Sequence, residues 1–183
     1  MSEPKVVWEC RWWRVEERLT GESGADHKWY SVHRPDPNTV SILGLTDARE
    51  VPVLRQWREP LQANVWELPA GISDVPGEAM ADTAAREMEE ETGWRARRML
   101  PLLSGTTSSG LTDELFNGFL GLELEKVADG GGLDGEQIEV HLVPFAELGE
   151  FMISRATAGE VIDIKVMAHL MLAERKLREM DLL

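Results

Sequence analysis

Cysteine is nearly absent from this 183-residue chain. Cys10 stands alone, which excludes an internal disulfide and any cysteine-rich zinc cluster, and serves equally as a small hydrophobe or a reactive thiol. Basic charge is scarce too: 19 Lys and Arg face 33 Asp and Glu, a formal net charge of −14 at pH 7. Such a chain repels polyanions, so a nucleic acid polymer is not an expected partner, whereas small anionic ligands can still be held through bound cations. No run of about 18 apolar residues occurs, and the opening MSEPKVVWECRWWRVEE lacks the apolar core of a signal peptide. Neither membrane insertion nor export is expected, and with one cysteine the expected compartment is the cytoplasm. The four histidines show no metal-ligand spacing; His33, His141 and His169 are read as lying on strand or helix faces. Gly130 to Gly132 are not followed by Gly-Lys-Ser/Thr, so they form no phosphate-cradling loop, and their expected property is mobility.

What is present fits one domain, residues 1–183, since 43% hydrophobic content can bury a sizeable core. Residues 6 to 19 alternate as a strand or bent pair of strands, and Gly21 to Asp26 is read as a polar turn. On a strand Trp12 and Trp13 face opposite ways, so one can pack inward while the other points out to an interface; equally, both can cap a sheet edge. Strands follow at Lys28 to Arg34, Val40 to Leu45 and Val51 to Arg55, then at Arg95 to Leu103, Leu115 to Glu125 and Gln137 to Val143. A short helix is expected from Phe145, and apolar residues recur with helical period from Gly159 to Met180.

Between these lies ELPAGISDVPGEAMADTAAREMEEETGW, residues 67 to 94. Projected at about 100° per residue, Ala81, Ala84, Ala85 and Met88 share one side of a helix; Thr83, Glu87, Glu90 and Glu91 share the other. Glu87, Glu90 and Glu91 stand at i, i+3 and i+4, where like charges destabilise a helix unless something cationic compensates. Arg86 reaches Glu90 one turn on, but one guanidinium cannot neutralise three carboxylates. Hard divalent cations bind clusters of this kind. Upstream, Arg55 and Arg58 come where a strand gives out beside this acidic stretch, and invite an anionic ligand.

The order Arg86-Glu87-Met88-Glu89-Glu90-Glu91-Thr92-Gly93-Trp94, with Glu78 eight residues before Arg86, resembles the Nudix box. One departure stands in the turn: six residues separate Gly71 from Glu78, one more than the family pattern. Arg55-Gln56-Trp57-Arg58 and Glu67-Leu68-Pro69-Ala70-Gly71 are similar to segments of the ADP-ribose pyrophosphatase branch, and Ser109 stands where that branch carries proline. The resemblance implies an α/β fold, a Nudix-type α/β/α sandwich with a mixed central sheet and an N-terminal strand-rich segment. It implies Mg²⁺, with Mn²⁺ as the alternative, held by Glu87, Glu91, Glu90 and the Ala70 carbonyl. It makes Arg58, Arg55, Glu67 and Glu114 substrate-binding, Arg86 the residue that orients the glutamates, and Glu90 or Glu136 the proton acceptor. The implied reaction is pyrophosphate hydrolysis of a nucleoside diphosphate linked to another moiety, ADP-ribose first, giving AMP and ribose 5-phosphate. Alternatives are another nucleotide sugar such as GDP-mannose, or a degenerate nucleotide-binding regulatory module. A homodimer through residues 1–45 is the expected assembly.

Overall fold

A computed structural model describes residues 3–20, 27–132 and 137–183; the expected turn at Gly21 to Asp26 and the residue Glu136 lie outside the described residues. The strands are β1 (Lys5–Glu9), β2 (Arg14–Thr20), β3 (His27–His33), β4 (Asn38–Gly44), β5 (Glu50–Arg58), β6 (Ala63–Glu67), β7 (Ala70–Ile72), β8 (Trp94–Gly105), β9 (Leu115–Lys126), β10 (Ile138–Pro144) and β11 (Val161–Ile162). The helices are α1 (Met80–Thr92), α2 (Leu148–Thr157) and α3 (Lys165–Glu179).

Backbone contacts gather these elements into two compact units. The first, residues 1–39 and 104–116, is built on the antiparallel sheet β1–β2–β3. Within it, the Val32 N–H donates to the Leu111 carbonyl at 2.8 Å, and His33 Nδ1 lies 2.8 Å from an Asp113 carboxylate oxygen. Trp12 and Trp13 are both exposed, so neither ring packs inward. They sit in the β1–β2 connection, where strand alternation does not apply, and Arg11 and Arg34 stack over them at 4.6 and 4.9 Å.

The second unit, residues 40–103 and 117–183, holds two four-stranded sheets, β10–β5–β6–β11 and β7–β4–β9–β8. The first of these is mixed, because β11 runs parallel to β6 while β10 and β6 run antiparallel to β5. Alternation along β4 assigns its two faces: Val40 and Ile42 join Ala84 and Met88 of α1, while Leu43 and Leu45 join Leu148 and Met152 of α2 and Val166, Ala173 and Leu177 of α3. On β9, Leu120 and Leu122 take the α2–α3 side, yet Leu124 takes the α1 side. Between them Glu123 adopts φ 56°, a left-handed conformation that strand residues do not ordinarily take, at the point where the phase changes. Burying each large aliphatic side chain contributes about 1.5–3 kcal/mol, so the two clusters carry much of the stability.

Two segments depart from the expected pattern. The stretch Trp66 to Gly71, where no strand was expected, forms the end of β6 and the start of β7. The helical pattern from Gly159 begins only at Lys165, because Val161 and Ile162 pair with Val65 and Trp66 as β11.

Candidate active site

α1 ends where Gly93 adopts φ 71°, a left-handed turn that a Cβ would block by meeting the Ala128 carbonyl oxygen at 2.0 Å. The chain then returns over this end: the N–H groups of Gly131 and Gly132 donate to the carbonyls of Glu91 and Glu90 at 2.8 and 3.1 Å, and Lys126 Nζ donates to the Thr92 carbonyl at 2.8 Å. Gly130 to Gly132 are therefore docked, not loose as expected. Their positive φ values, 78°, 105° and 78°, let the backbone satisfy carbonyls that a helix end leaves unpaired.

The acidic face of α1 is sunk into the fold. Glu91 is 5% exposed and Thr83 fully buried, so this face is largely closed off from solvent. Glu91 Oε2 accepts the Ala70 N–H at 2.9 Å. Glu87 lies one turn away against the next residue of β7, Gly71, where an added Cβ would stand 2.0 Å from the carboxyl carbon. Glycine at 71 is thus the space that Glu87 occupies. Burial raises the Glu87 carboxyl to about 7, Arg86 opposing it and the charges of Glu90 and Asp74 adding to it. Burial likewise raises Glu91 to about 8, with the Ala70 N–H opposing and Glu87 and Glu67 adding.

Arg86 is the hub of the acidic face. Its Nη1 donates to Glu87 at 2.8 Å and Glu90 at 3.3 Å, while Nε and Nη2 donate to the two oxygens of Glu78 at 3.3 and 3.2 Å. Glu78 also accepts from the Thr83 hydroxyl at 2.8 Å, and these hydrogen bonds, Arg86 first, lower its carboxyl. Glu78 was not among the predicted site residues, although its eight-residue spacing to Arg86 was the available signal.

On the neighbouring sheet, Arg58 Nε donates to Glu67 Oε1 at 2.8 Å. Burial pushes Glu67 up and Arg58 opposes the shift. Arg58 also feels the charge of Glu91, so this pair adjoins the glutamate face. Arg55 does not join it. Strand alternation puts Arg55 on the other face of β5, where it pairs with Glu139 at 3.1 Å and approaches Glu160 at 3.9 Å. Glu114 belongs to the first unit, where its N–H donates to the Thr112 hydroxyl and its carboxylate accepts from Thr107 at 3.4 Å.

Among the described residues, no three acidic, His or Cys side chains converge on one ion-sized point. The donor set nevertheless suits a hard divalent cation. Glu87 and Glu91 lie against the consecutive residues Gly71 and Ala70, both carry raised pKa values, and Arg86 compensates Glu87 only in part. Oxygen ligands that resist ionising alone are stabilised as carboxylates by a bound cation.

One helix of this α/β fold thus lays a largely buried carboxylate face against the short glycine-containing strand β7. The Nudix domain family matches residues 35–170, and the chain belongs to that family of hydrolases. It is 35% identical over 130 residues to the ADP-ribose pyrophosphatase of Bacillus subtilis (strain 168), covering 70% of this chain and 68% of the relative. It is 33% identical over 173 residues to the CMP-5'-(N-acetyl-N-hydroxy-3-aminopropyl)phosphonate hydrolase of Streptomyces rubellomurinus (strain ATCC 31215), covering 87% and 77%. The chain spans about half the length of other curated relatives that it matches. The crystal structure of an ADP compounds hydrolase shares the fold with a TM-score of 0.77 at 16% identity, over 99% of this chain and 95% of that one.

Proposed function

We propose that this protein hydrolyses the pyrophosphate bond of a nucleoside diphosphate linked to a second moiety, with ADP-ribose as first substrate and AMP and ribose 5-phosphate as products. The observation that carries the proposal is the pair Glu91, buried, and Glu87, half-buried, one turn apart against Ala70 and Gly71. Glu87, Glu91, Glu90 and the Ala70 carbonyl would hold Mg²⁺, or Mn²⁺ in its place. Bound there, the cation neutralises phosphoryl charge and lowers the pKa of water.

The chain's own groups do the rest. Arg86 holds Glu87 and Glu90 in place through one nitrogen. Glu90, or Glu136 from the loop before β10, accepts the proton of the attacking water. The water oxygen bonds to phosphorus, the bridging P–O bond breaks, and the leaving phosphate departs as an anion. Arg58, fixed by Glu67, faces that charge. Arg55 and Glu114 are the other proposed substrate-binding residues.

The 183 residues are taken as one Nudix domain acting in the cytoplasm, and as a homodimer joined through residues 1–45. Exposed Val6, Trp8, Trp29 and Tyr30 on the N-terminal sheet support that pairing. Among the described residues, no helix is long and apolar enough to cross a membrane.

A second reading has its own support. The relative from Streptomyces rubellomurinus carries the name of a CMP-phosphonate hydrolase, and Ser109 stands in place of the branch's proline, so another nucleotide conjugate, GDP-mannose included, is the alternative. A Mg²⁺-dependent turnover panel decides: ADP-ribose, GDP-mannose, other nucleotide sugars, diadenosine polyphosphates and nucleoside triphosphates, with products identified. Selective release of AMP from ADP-ribose is expected. Preference for another conjugate transfers the assignment to it, and binding of nucleotides with no turnover identifies a regulatory module.

A further inference from the structure

Beside the Arg58–Glu67 pair opens a cavity of about 490 Å³, within the size range of small-molecule sites. Its walls are aliphatic, Leu61 and Val65 on one side and Val161 on the other, and its remaining polar lining is Asp163 and Lys165 at the start of α3. Neither residue has a place in the chemistry described above. Both are held firmly. The Asp163 N–H donates to the Trp66 carbonyl at 2.8 Å, Asp163 Oδ1 accepts the Lys165 N–H at 2.9 Å, and Lys165 Nζ hydrogen-bonds Asp163 Oδ2.

This pairing leaves bonding capacity over. Each carboxylate oxygen has two lone pairs and an ammonium group has three protons, so one Asp–Lys pair can still accept and donate to the same ligand. Adjacent sugar hydroxyls, each at once donor and acceptor, meet that requirement. Among the described residues Arg58 hydrogen-bonds only through Nε, which leaves the two-nitrogen edge of its guanidinium for a phosphate. The aliphatic walls suit the C–H face of a sugar ring.

We infer that this cavity receives the sugar-phosphate half of the substrate that carries no base, with Asp163 and Lys165 reading its hydroxyls and Arg58 its phosphate. The assignment rests on the hydrolase function proposed above and names the substrate class of the same site.

The test measures binding of ribose 5-phosphate, mannose 1-phosphate and AMP to the full-length Mg²⁺-supplemented protein by titration calorimetry, alongside KM and kcat for ADP-ribose. Asp163→Asn keeps an oxygen for the helix start, Lys165→Met keeps the stem, and Val161→Phe narrows the cavity without touching either charge. In the Asp163 and Lys165 variants, sugar-phosphate affinity should fall about tenfold to a hundredfold, the loss expected for a hydrogen bond to a charged group, and in Val161→Phe it should fall about tenfold or more because the ring takes the ligand's space. AMP affinity should stay within about twofold, and KM should rise more than kcat falls. Equal losses for AMP and sugar phosphates, or wild-type protein that binds AMP but neither sugar phosphate, overturn the assignment. If Asp163→Asn melts early, the Val161→Phe comparison decides alone. Failure to cleave ADP-ribose with sugar-phosphate binding intact and cavity-dependent refutes the ADP-ribose function and leaves the cavity assignment standing.

Discussion

Removal of divalent cations should make this protein less stable as pH rises, and Glu91→Gln should cancel much of that loss. Burial holds the Glu91 carboxyl at about 8 in the folded chain, above the ordinary 4.5. Between those values the folded state keeps a proton that the unfolded state releases. Stability therefore falls with rising pH across that window and is fully present only below it. At about 1.4 kcal/mol per unit, the loss by pH 8 is on the order of 4 kcal/mol. Glu87, raised to about 7 by the same burial, adds in the same direction over a shorter span. For a chain of this size the Glu91 part corresponds to roughly 10 °C in Tm. Gln is neutral at every pH and can still accept the Ala70 N–H that Glu91 Oε2 accepts. The assay is thermal unfolding in EDTA at pH 5, 6, 7 and 8, wild type against Glu91→Gln. The curves should meet near pH 5 and separate by pH 8, the variant melting higher; Mg²⁺ should then raise the wild-type Tm at pH 8 and leave the variant unmoved. Parallel curves, or a variant less stable at pH 8, refute the burial of an uncompensated charge at Glu91.

The same variant should lose kcat by roughly a hundredfold or more while keeping native circular dichroism, since one oxygen ligand and its charge are gone. Gly71→Ala should also silence turnover with little loss of stability: its Cβ would stand 2.0 Å from the Glu87 carboxyl carbon, and that flexible end yields more readily than the backbone. A Gly71→Ala enzyme with wild-type kcat would show that Glu87 need not sit there. Arg86→Met removes the donor shared by Glu78, Glu87 and Glu90, and should weaken stability by about 1–3 kcal/mol and depress kcat together, measured by urea unfolding and steady-state kinetics. Light scattering at micromolar concentration should give a dimer mass that Trp8→Glu with Trp29→Glu converts to a monomer; a wild-type monomer ends the dimer proposal.

Local signals located most of the elements. The 3.6 period of residues 79 to 92 matches α1, and Gly93 ends it as the left-handed residue its chemistry suits. Alternation matched β3, β4, β8 and β9, whose residues are governed by which face meets the core. It failed at Trp66 to Gly71, where strand pairing is imposed by β5 and β4 rather than by the segment's own pattern, and at Val161 to Ile162, where two residues with helical spacing pair with β6 instead. The two arginines Arg55 and Arg58 looked equivalent in the chain. Three residues apart on a strand they face opposite ways, and only Arg58 meets Glu67.

By itself, then, the sequence determined the glutamate-bearing helix, its order of glutamates and the family to which the chain belongs, because helix period and residue spacing are properties of neighbours along the chain. It could not say that the acidic face would be buried. That was decided by β7, whose Ala70 N–H and Gly71 backbone come to Glu91 and Glu87 from some 16 to 21 residues away. Desolvation is a property of what surrounds a group in space, and only the folded chain brings those surroundings together.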